Sequence, residues 1–311
     1  VYVLTVLATW PALQPHLSWR PSLIRITAWV CWMSVAMALY QGIQVMGWDQ
    51  FYTQDLKKAP EETLYTYRPY AGLGNIQFVA VTHALTLPLF FLFRDKRYLV
   101  MLGVVLLALA FSGVRFAQAG AVLSLASYGL ARSWHRWPRK RLGILGIILI
   151  SVMVSLPSAW RQVRRDERWI VWSEVLHQWQ TPEASGRPMT LTGRGLGAFQ
   201  ERFWQDVSRL RPETVASLGM QIIRYDTAHS DVLQALYEIG LIGVALLAWL
   251  GGALLWRGWQ MAASPIGAAW WASLVTLLAC SVVYFPWHMA QTTWLGSLIV
   301  AMNARQPEGV V

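Results

Sequence analysis

His229 has the clearest chemical potential in this chain. It sits in the run Asp226, Thr227, Ala228, His229, Ser230, Asp231, just ahead of a long apolar stretch that begins at Val232. An imidazole titrates near neutral pH, so a part-exposed His with a carboxylate to orient it is suited to take a proton from a hydroxyl. The plainer reading is a capping or interface histidine without a chemical role, and residue types alone leave both open. Asp226 or Ser230 has the side chain that a helix N-cap needs. Asp231 and Glu238 lie seven residues apart on one helical face, either as partners supporting His229 or as the polar edge of the helix. Glu238 falls in the first turns of the apolar stretch, where a carboxylate is costly unless paired.

A second potential is anion binding. Between 158 and 231 the chain holds ten Arg, no Lys and nine acids. Arg offers a planar fork of donors and keeps its charge when partly desolvated, which suits phosphate. Arg161, Arg165 and Arg168 recur at helical spacing and predict a basic stripe. Trp169, Trp172, Leu176 and Trp179 share a face, which predicts an amphipathic helix in the membrane interface, its aromatic side on lipid or on the bundle. Gly193, Gly195 and Gly197 bracket Arg194. They lack the strand–helix setting of a nucleotide loop and predict a tight turn that brings backbone amides and Arg194 up to an anion. Arg115 follows Ser112, Gly113 and Val114 behind a long apolar run, with no acid near it in sequence. An arginine at the end of a span either serves a site or snorkels to headgroups. The block 68–77 opens with Arg68 and Pro69 and closes with Asn75 and Gln77, amides placed for the membrane surface or for a helix cap. His83 reads as structural and hydrogen-bonded inside the bundle, and His288 as structural too. His16, His135 and His177 belong to no cluster.

These groups sit in a chain built for lipid. Of 311 residues, 55% are hydrophobic, 14% are charged and 19 are Trp, whereas a soluble chain carries about a quarter charged residues. The expected fold is an all-α, polytopic transmembrane bundle. Its nine apolar segments lie near 1–13, 23–47, 77–93, 98–112, 114–131, 142–157, 232–256, 266–285 and 289–303. Such continuous runs exclude the alternation of a membrane β-barrel. The domain order expected is N-terminal spans over 1–157, a large outer loop over 158–231 and C-terminal spans over 232–311. The basic groups at 94–97 and 132–141, with Arg20, Arg25 and Arg257, fall on one side of this stack, which makes that side cytoplasmic. Loops 48–76 and 158–231 then face outward. The formal charge of +10 therefore reports membrane orientation and not nucleic acid. Val1 opens onto an apolar run without a recognisable signal peptide, and earlier spans are expected ahead of it. Cys31 and Cys280 lie in apolar runs as small buried hydrophobes. There is no His-Glu-x-x-His, no Cys pair and no Asp-x-Asp run, so neither a metal nor a cofactor is expected.

Four blocks in order give the chain a family likeness. They are the Arg-Pro…Gly-x-Gly-Asn block at 68–77, Ser-Gly-x-Arg at 112–115, Gly-x-Gly-x-Phe at 195–199, and His229 running on to Gly240 and Gly243. In these the chain resembles the O-antigen ligase superfamily: lipopolysaccharide O-antigen ligases, O-antigen polymerases and the bacterial O-oligosaccharyltransferases that glycosylate pilins. Arg168 and Trp172 form an Arg-x-x-x-Trp pattern where the family's large outer loop begins. Ser230 stands where the family often has Asn, and Val114 separates Ser112 and Gly113 from Arg115, where Ser usually abuts the Arg.

The resemblance implies a GT-C-like, metal-independent glycosyltransferase of the bacterial inner membrane, acting on its periplasmic face. Its donor would be a glycan on undecaprenyl pyrophosphate, and its acceptor lipid A-core, a pilin or a growing glycan, with lipid A-core favoured. By the same resemblance His229 would be the base, and Arg115 would hold the pyrophosphate with Arg165, Arg168, Arg194, Arg224 and Arg68. Asp226, Asp231 and Glu238 would support them. A transporter without covalent chemistry is the rival of a different class. It predicts ionisable residues within several spans and symmetry-related repeats; the chain has few of the former and no clear internal repeat.

Overall fold

A computed structural model describes residues 19–49, 71, 75–134, 167–180, 189–210, 227–288 and 290–304. Every regular element among them is a helix. In chain order they are α1 (Trp19–Val45), α2 (Ile76–Thr86, continued as a 3-10 turn over Leu87–Leu92), α3 (Lys96–Ser112) and α4 (Arg115–Trp134). There follow α5 (Glu167–Gln180), α6 (Met189–Thr192), α7 (Ala198–Leu210), α8 (Asp231–Met261), α9 (Pro265–Val283), a 3-10 turn over Pro286–His288, and α10 (Ala290–Ala304). Seven of the expected apolar segments thus form helices within a few residues of their expected bounds; 1–13 and 142–157 lie outside the described residues. Among the described residues, three helical stretches are long and apolar enough to cross a membrane: Leu23–Val45, Asp231–Met261 and Pro265–Val283. The α8 span keeps Leu246, Leu247, Trp249 and Leu250 exposed, the surface a lipid-facing helix presents.

The chain divides into two compact units. The first holds the described residues of Val1–Ile148, Leu254–Cys280 and Met289–Val311. Its centre is α2, buried at every position from Ile76 to Thr86 except Gln77. The Asn75 side chain accepts from the Gln77 amide at 2.8 Å, so this block serves as a helix cap. Polar side chains join α1 to α2. His83 Nδ1 lies 2.8 Å from Ser34 Oγ, its Nε2 lies 3.1 Å from Gln41 Oε1, and Thr86 donates to Ser34 at 3.0 Å. His83 is therefore a satisfied structural histidine, as its sequence setting predicts, and such bonds hold membrane helices together where no hydrophobic force separates helix from lipid. Gly120 lets α4 approach α9 and α2: a Cβ there would lie 3.3 Å from Cys280 Sγ, 3.5 Å from Thr276 and 3.8 Å from Ala84. Ser273 of α9 donates to the Leu85 carbonyl at 2.8 Å.

Two residues, Gly113 and Val114, connect α3 to α4. Gly113 takes a left-handed φ of 65° to close α3. Ser112 Oγ donates to the Leu109 carbonyl at 2.7 Å and accepts from the Val114 amide at 3.2 Å. On the other end of α3, Asp95 caps the helix through the Arg97 amide. The Arg97 guanidinium beside it holds the Asp95 carboxyl below the usual carboxylate range.

The second unit holds the described residues of Leu149–Ala253 and Ser281–His288. Its core gathers Val171 and Val175 of α5, Phe199, Phe203 and Val207 of α7, Ala228, and Tyr237 of α8. The four-residue spacing along α7 puts its apolar side chains on one stripe. Phe199 and Phe203 stack at 4.4 Å, and Tyr237 meets them edge-on at 5.6 and 5.7 Å. On α5 the buried stripe is Val171, Glu174, Val175 and Gln178. Trp169, Trp172 and Trp179 are half-buried beside it and Leu176 is exposed.

Because Gly120 has no room for a branched side chain, Gly120→Leu overpacks the α4–α9 contact. The expected loss is about 1–3 kcal/mol, read as a fall in the thermal unfolding midpoint of the purified protein in detergent; an unchanged midpoint contradicts this packing.

Candidate functional site

The second unit brings together the two sequence blocks of greatest interest, 190–199 and 226–243. The joint is made by backbone. Gly240 adopts φ 65° and ψ −168° inside α8, which interrupts the helix. In a regular helix the carbonyls of Tyr237 and Glu238 would serve the amides four residues on. Here the Arg194 amide donates to the Tyr237 carbonyl at 2.9 Å, and the Gly195 amide to the Glu238 carbonyl at 2.8 Å. The 193–197 turn is thus docked against the break. Its glycines have φ of 69° (Gly193), 104° (Gly195) and 81° (Gly197), all in the region that side chains disfavour. A Cβ on Gly193 would lie 2.5 Å from the Glu238 carbonyl, and one on Gly240 would collide with the backbone of Gly193 and Leu191. The expectation that these amides reach an anion is corrected: those of Arg194 and Gly195 are taken by carbonyls.

The side chains follow from this joint. The Arg194 guanidinium lies over the Tyr237 ring, 5.1 Å from its centroid, a cation–π contact. Glu238 Oε1 accepts from Gln234 Nε2 at 3.1 Å, which gives the membrane-edge carboxylate a partner. Gln234 Oε1 in turn accepts from the Ala228 amide at 3.2 Å.

His229 stands at the head of α8 with φ 52°. A non-glycine residue in that region costs about 1–3 kcal/mol and persists only where its surroundings impose it. Those surroundings are on both sides. Trp172 Nε1 donates to the Ala228 carbonyl at 2.9 Å, and Gln234 holds the Ala228 amide. Ser230 Oγ accepts from the Leu233 amide at 3.2 Å and donates to the Val282 carbonyl at 2.7 Å. Ser230 is therefore the N-cap of α8. The His229 ring meets Phe285 edge-on at 4.9 Å and is partly exposed.

Asp231 is bonded to His288: Nδ1 lies 2.7 Å from Oδ1. His288, read from the sequence as structural, thus belongs to a carboxylate–imidazole pair. Arg168 lies one helical turn ahead of Trp172 on α5, so the two share a face, and Trp172 is the residue that touches the His229 turn. Arg115 is in the first unit, exposed as the first residue of α4. Arg68, Arg165, Arg224 and Asp226 lie outside the described residues, as do Arg161, most of loop 48–76 and part of loop 158–231. Among the described residues no three His, Cys, Asp or Glu side chains gather as a metal site.

Sequence reasoning missed Gln234, Phe285 and the role of His288. Gln234 carried a faint signal, five residues past His229 and one turn before Glu238 on an otherwise apolar helix. Phe285 and His288 carried none, because their importance lies in contacts more than fifty residues away.

Two outcomes test this geometry. Gly193→Ala and Gly240→Ala each undock the turn, so the amides of Arg194 and Gly195 lose protection in hydrogen exchange; protection equal to the native protein contradicts the joint. Ser230→Ala costs about 1 kcal/mol through the lost cap, measured by denaturant titration in micelles. No family model, curated protein or solved structure matches the chain, so the reading of this site rests on its geometry and on the ordered motif blocks.

Proposed function

We propose that this protein is a membrane glycosyltransferase of O-antigen ligase type, moving a glycan from undecaprenyl pyrophosphate to an acceptor hydroxyl, with lipid A-core as the favoured acceptor. One observation carries the reading. The Gly-rich turn with Arg194 and the helix headed by His229, two of the family-like blocks, share one backbone joint. The joint docks the turn that carries Arg194 onto the helix that the strained His229 precedes. On this reading the nine apolar segments are spans of a bacterial inner membrane, with 158–231 on the periplasmic face, in keeping with the basic groups gathered on the opposite side.

The chemistry asks for few parts. The acceptor hydroxyl gives its proton to His229 as its oxygen attacks the anomeric carbon. The bond from that carbon to the pyrophosphate oxygen breaks, and the leaving group takes the electron pair. Charge grows on the pyrophosphate, and fixed guanidinium donors in a low-dielectric setting stabilise it without a metal. Arg194 and Arg168 have the local settings described above for this task. Arg115, Arg165, Arg224 and Arg68 are assigned to it by the family resemblance.

The test is transfer of a lipid-linked glycan in a strain lacking its own ligase, with lipopolysaccharide and pilin analysed separately. His229→Ala is expected to lower transfer by about 10²–10⁴-fold. Arg115→Ala and Arg194→Ala are each expected to lower it by about 10²–10³-fold. If His229→Ala and Arg115→Ala keep full transfer at native protein levels, the proposal is wrong. The product that disappears identifies the acceptor; loss of pilin glycan or of polymer length in place of lipopolysaccharide reassigns it.

A further inference from the structure

The reaction above does not use the Asp231–His288 pair, yet the structure builds it with care. An ionised carboxylate only accepts, so His288 Nδ1 carries the proton across the 2.7 Å contact. The pair is one of several ties between the head of α8 and the segment 281–288. The Asp231 amide donates to the Tyr284 carbonyl at 3.0 Å. The Trp287 amide donates to the second Asp231 oxygen at 3.4 Å, and within the segment itself the Trp287 indole donates to Ser281 Oγ at 3.1 Å. These ties seat Phe285, which is buried. The Phe285 ring lies 4.9 Å from the His229 ring and 6.5 Å from that of His288. Phe285 is thus in ring contact with two imidazoles, one at the head of the helix and one in the latch.

We propose that Asp231 and His288 are positioning residues. Their bond latches the turn over 284–288, so that Phe285 holds the His229 ring in one orientation. This deepens the glycan-transfer reading and rests on it for what the oriented ring then does. A base displaced by about 1 Å can cost 10²-fold in rate, so a ring contact that restrains the imidazole has catalytic value without touching substrate. A latch needs only the donor at Nδ1, whereas a proton acceptor would need Nε2. Asn at position 288 offers an amide N–H near the place of Nδ1 and has no counterpart of Nε2, which separates the two roles.

The experiment uses the full chain in lipid nanodiscs with isotope-labelled histidine. The ring protons of His229 feel the ring current of Phe285. Phe285→Leu marks where those resonances fall when the aromatic ring is gone, and His229→Gln assigns them. His288→Ala is expected to move the His229 resonances towards the Phe285→Leu position and to lower glycan transfer about tenfold, and His288→Asn to restore both to about native. Unmoved His229 resonances in His288→Ala overturn the latch. So does a His288→Asn protein that matches His288→Ala, since His288 would then act through Nε2. The resonances are read without any glycan donor. Movement as expected in a protein whose native form transfers no glycan therefore sustains the latch and removes only the glycan-transfer reading.

Discussion

The site depends on how one break in a helix is satisfied. A helix that meets lipid must find partners for its own backbone groups, because the bilayer core offers no water. Gly240 takes α8 out of helical geometry and leaves the carbonyls of Tyr237 and Glu238 in need of donors. An unmet buried carbonyl costs about 1–3 kcal/mol. The chain supplies two amides from a turn more than forty residues earlier. That solution imposes a steric condition on both strands of the joint. Backbone can approach backbone this closely only if neither Gly193 nor Gly240 carries a Cβ, and the same residues must tolerate positive φ. Two requirements, space and dihedral, converge on glycine at both positions.

From the joint the order runs back to His229. The half-helix from Asp231 to Ile239 is fixed at one end by the docked turn and at the other by the Ser230 cap. Along it, Gln234 links the Glu238 carboxylate to the Ala228 amide. Trp172 closes the remaining carbonyl from α5. The strained φ of His229 is then the residue of a conflict between these anchors, held because several bonds would break if it relaxed. A histidine that served only as a helix cap would not need this; Ser230 already caps the helix.

How much of this could be read in the amino-acid order follows a physical rule. Features encoded by local periodicity were legible. The α-helical class, the helix over 167–180, the break between α3 and α4 at Gly113 and the cap at Ser230, one of two candidates, all rest on residues within a turn or two of each other. His83 was legible too, because a lone polar residue in an apolar run must find a bond. The glycines at 193–197 were legible as a turn, but their purpose was misread, since nothing near them shows that the partner is a carbonyl in α8 and not an anion. Asp231 was judged by its neighbour His229, two residues away, and took its bond from His288, fifty-seven residues on. Contacts set by the return of a distant segment leave no periodic trace, and that is where the sequence ceases to speak.

The placement of Arg194 bears on whether a guanidinium engaged in the fold can still serve an anion. Its cation–π contact sets the guanidinium carbon 5.1 Å from the centroid of the Tyr237 ring. Recognition of phosphate uses the N–H donors in the plane of that group. Contact with a neutral ring leaves the charge of the guanidinium intact. A side chain held by the fold has already lost rotamer entropy that a mobile arginine would lose on binding. Tyr237 is itself fixed, buried edge-on against the Phe199–Phe203 stack and anchored through its carbonyl to the Arg194 amide. Main chain and side chain of Arg194 thus grip the same residue of α8. A lysine at 194 would keep the charge but lose the planar face, and with it the orientation that this double grip provides.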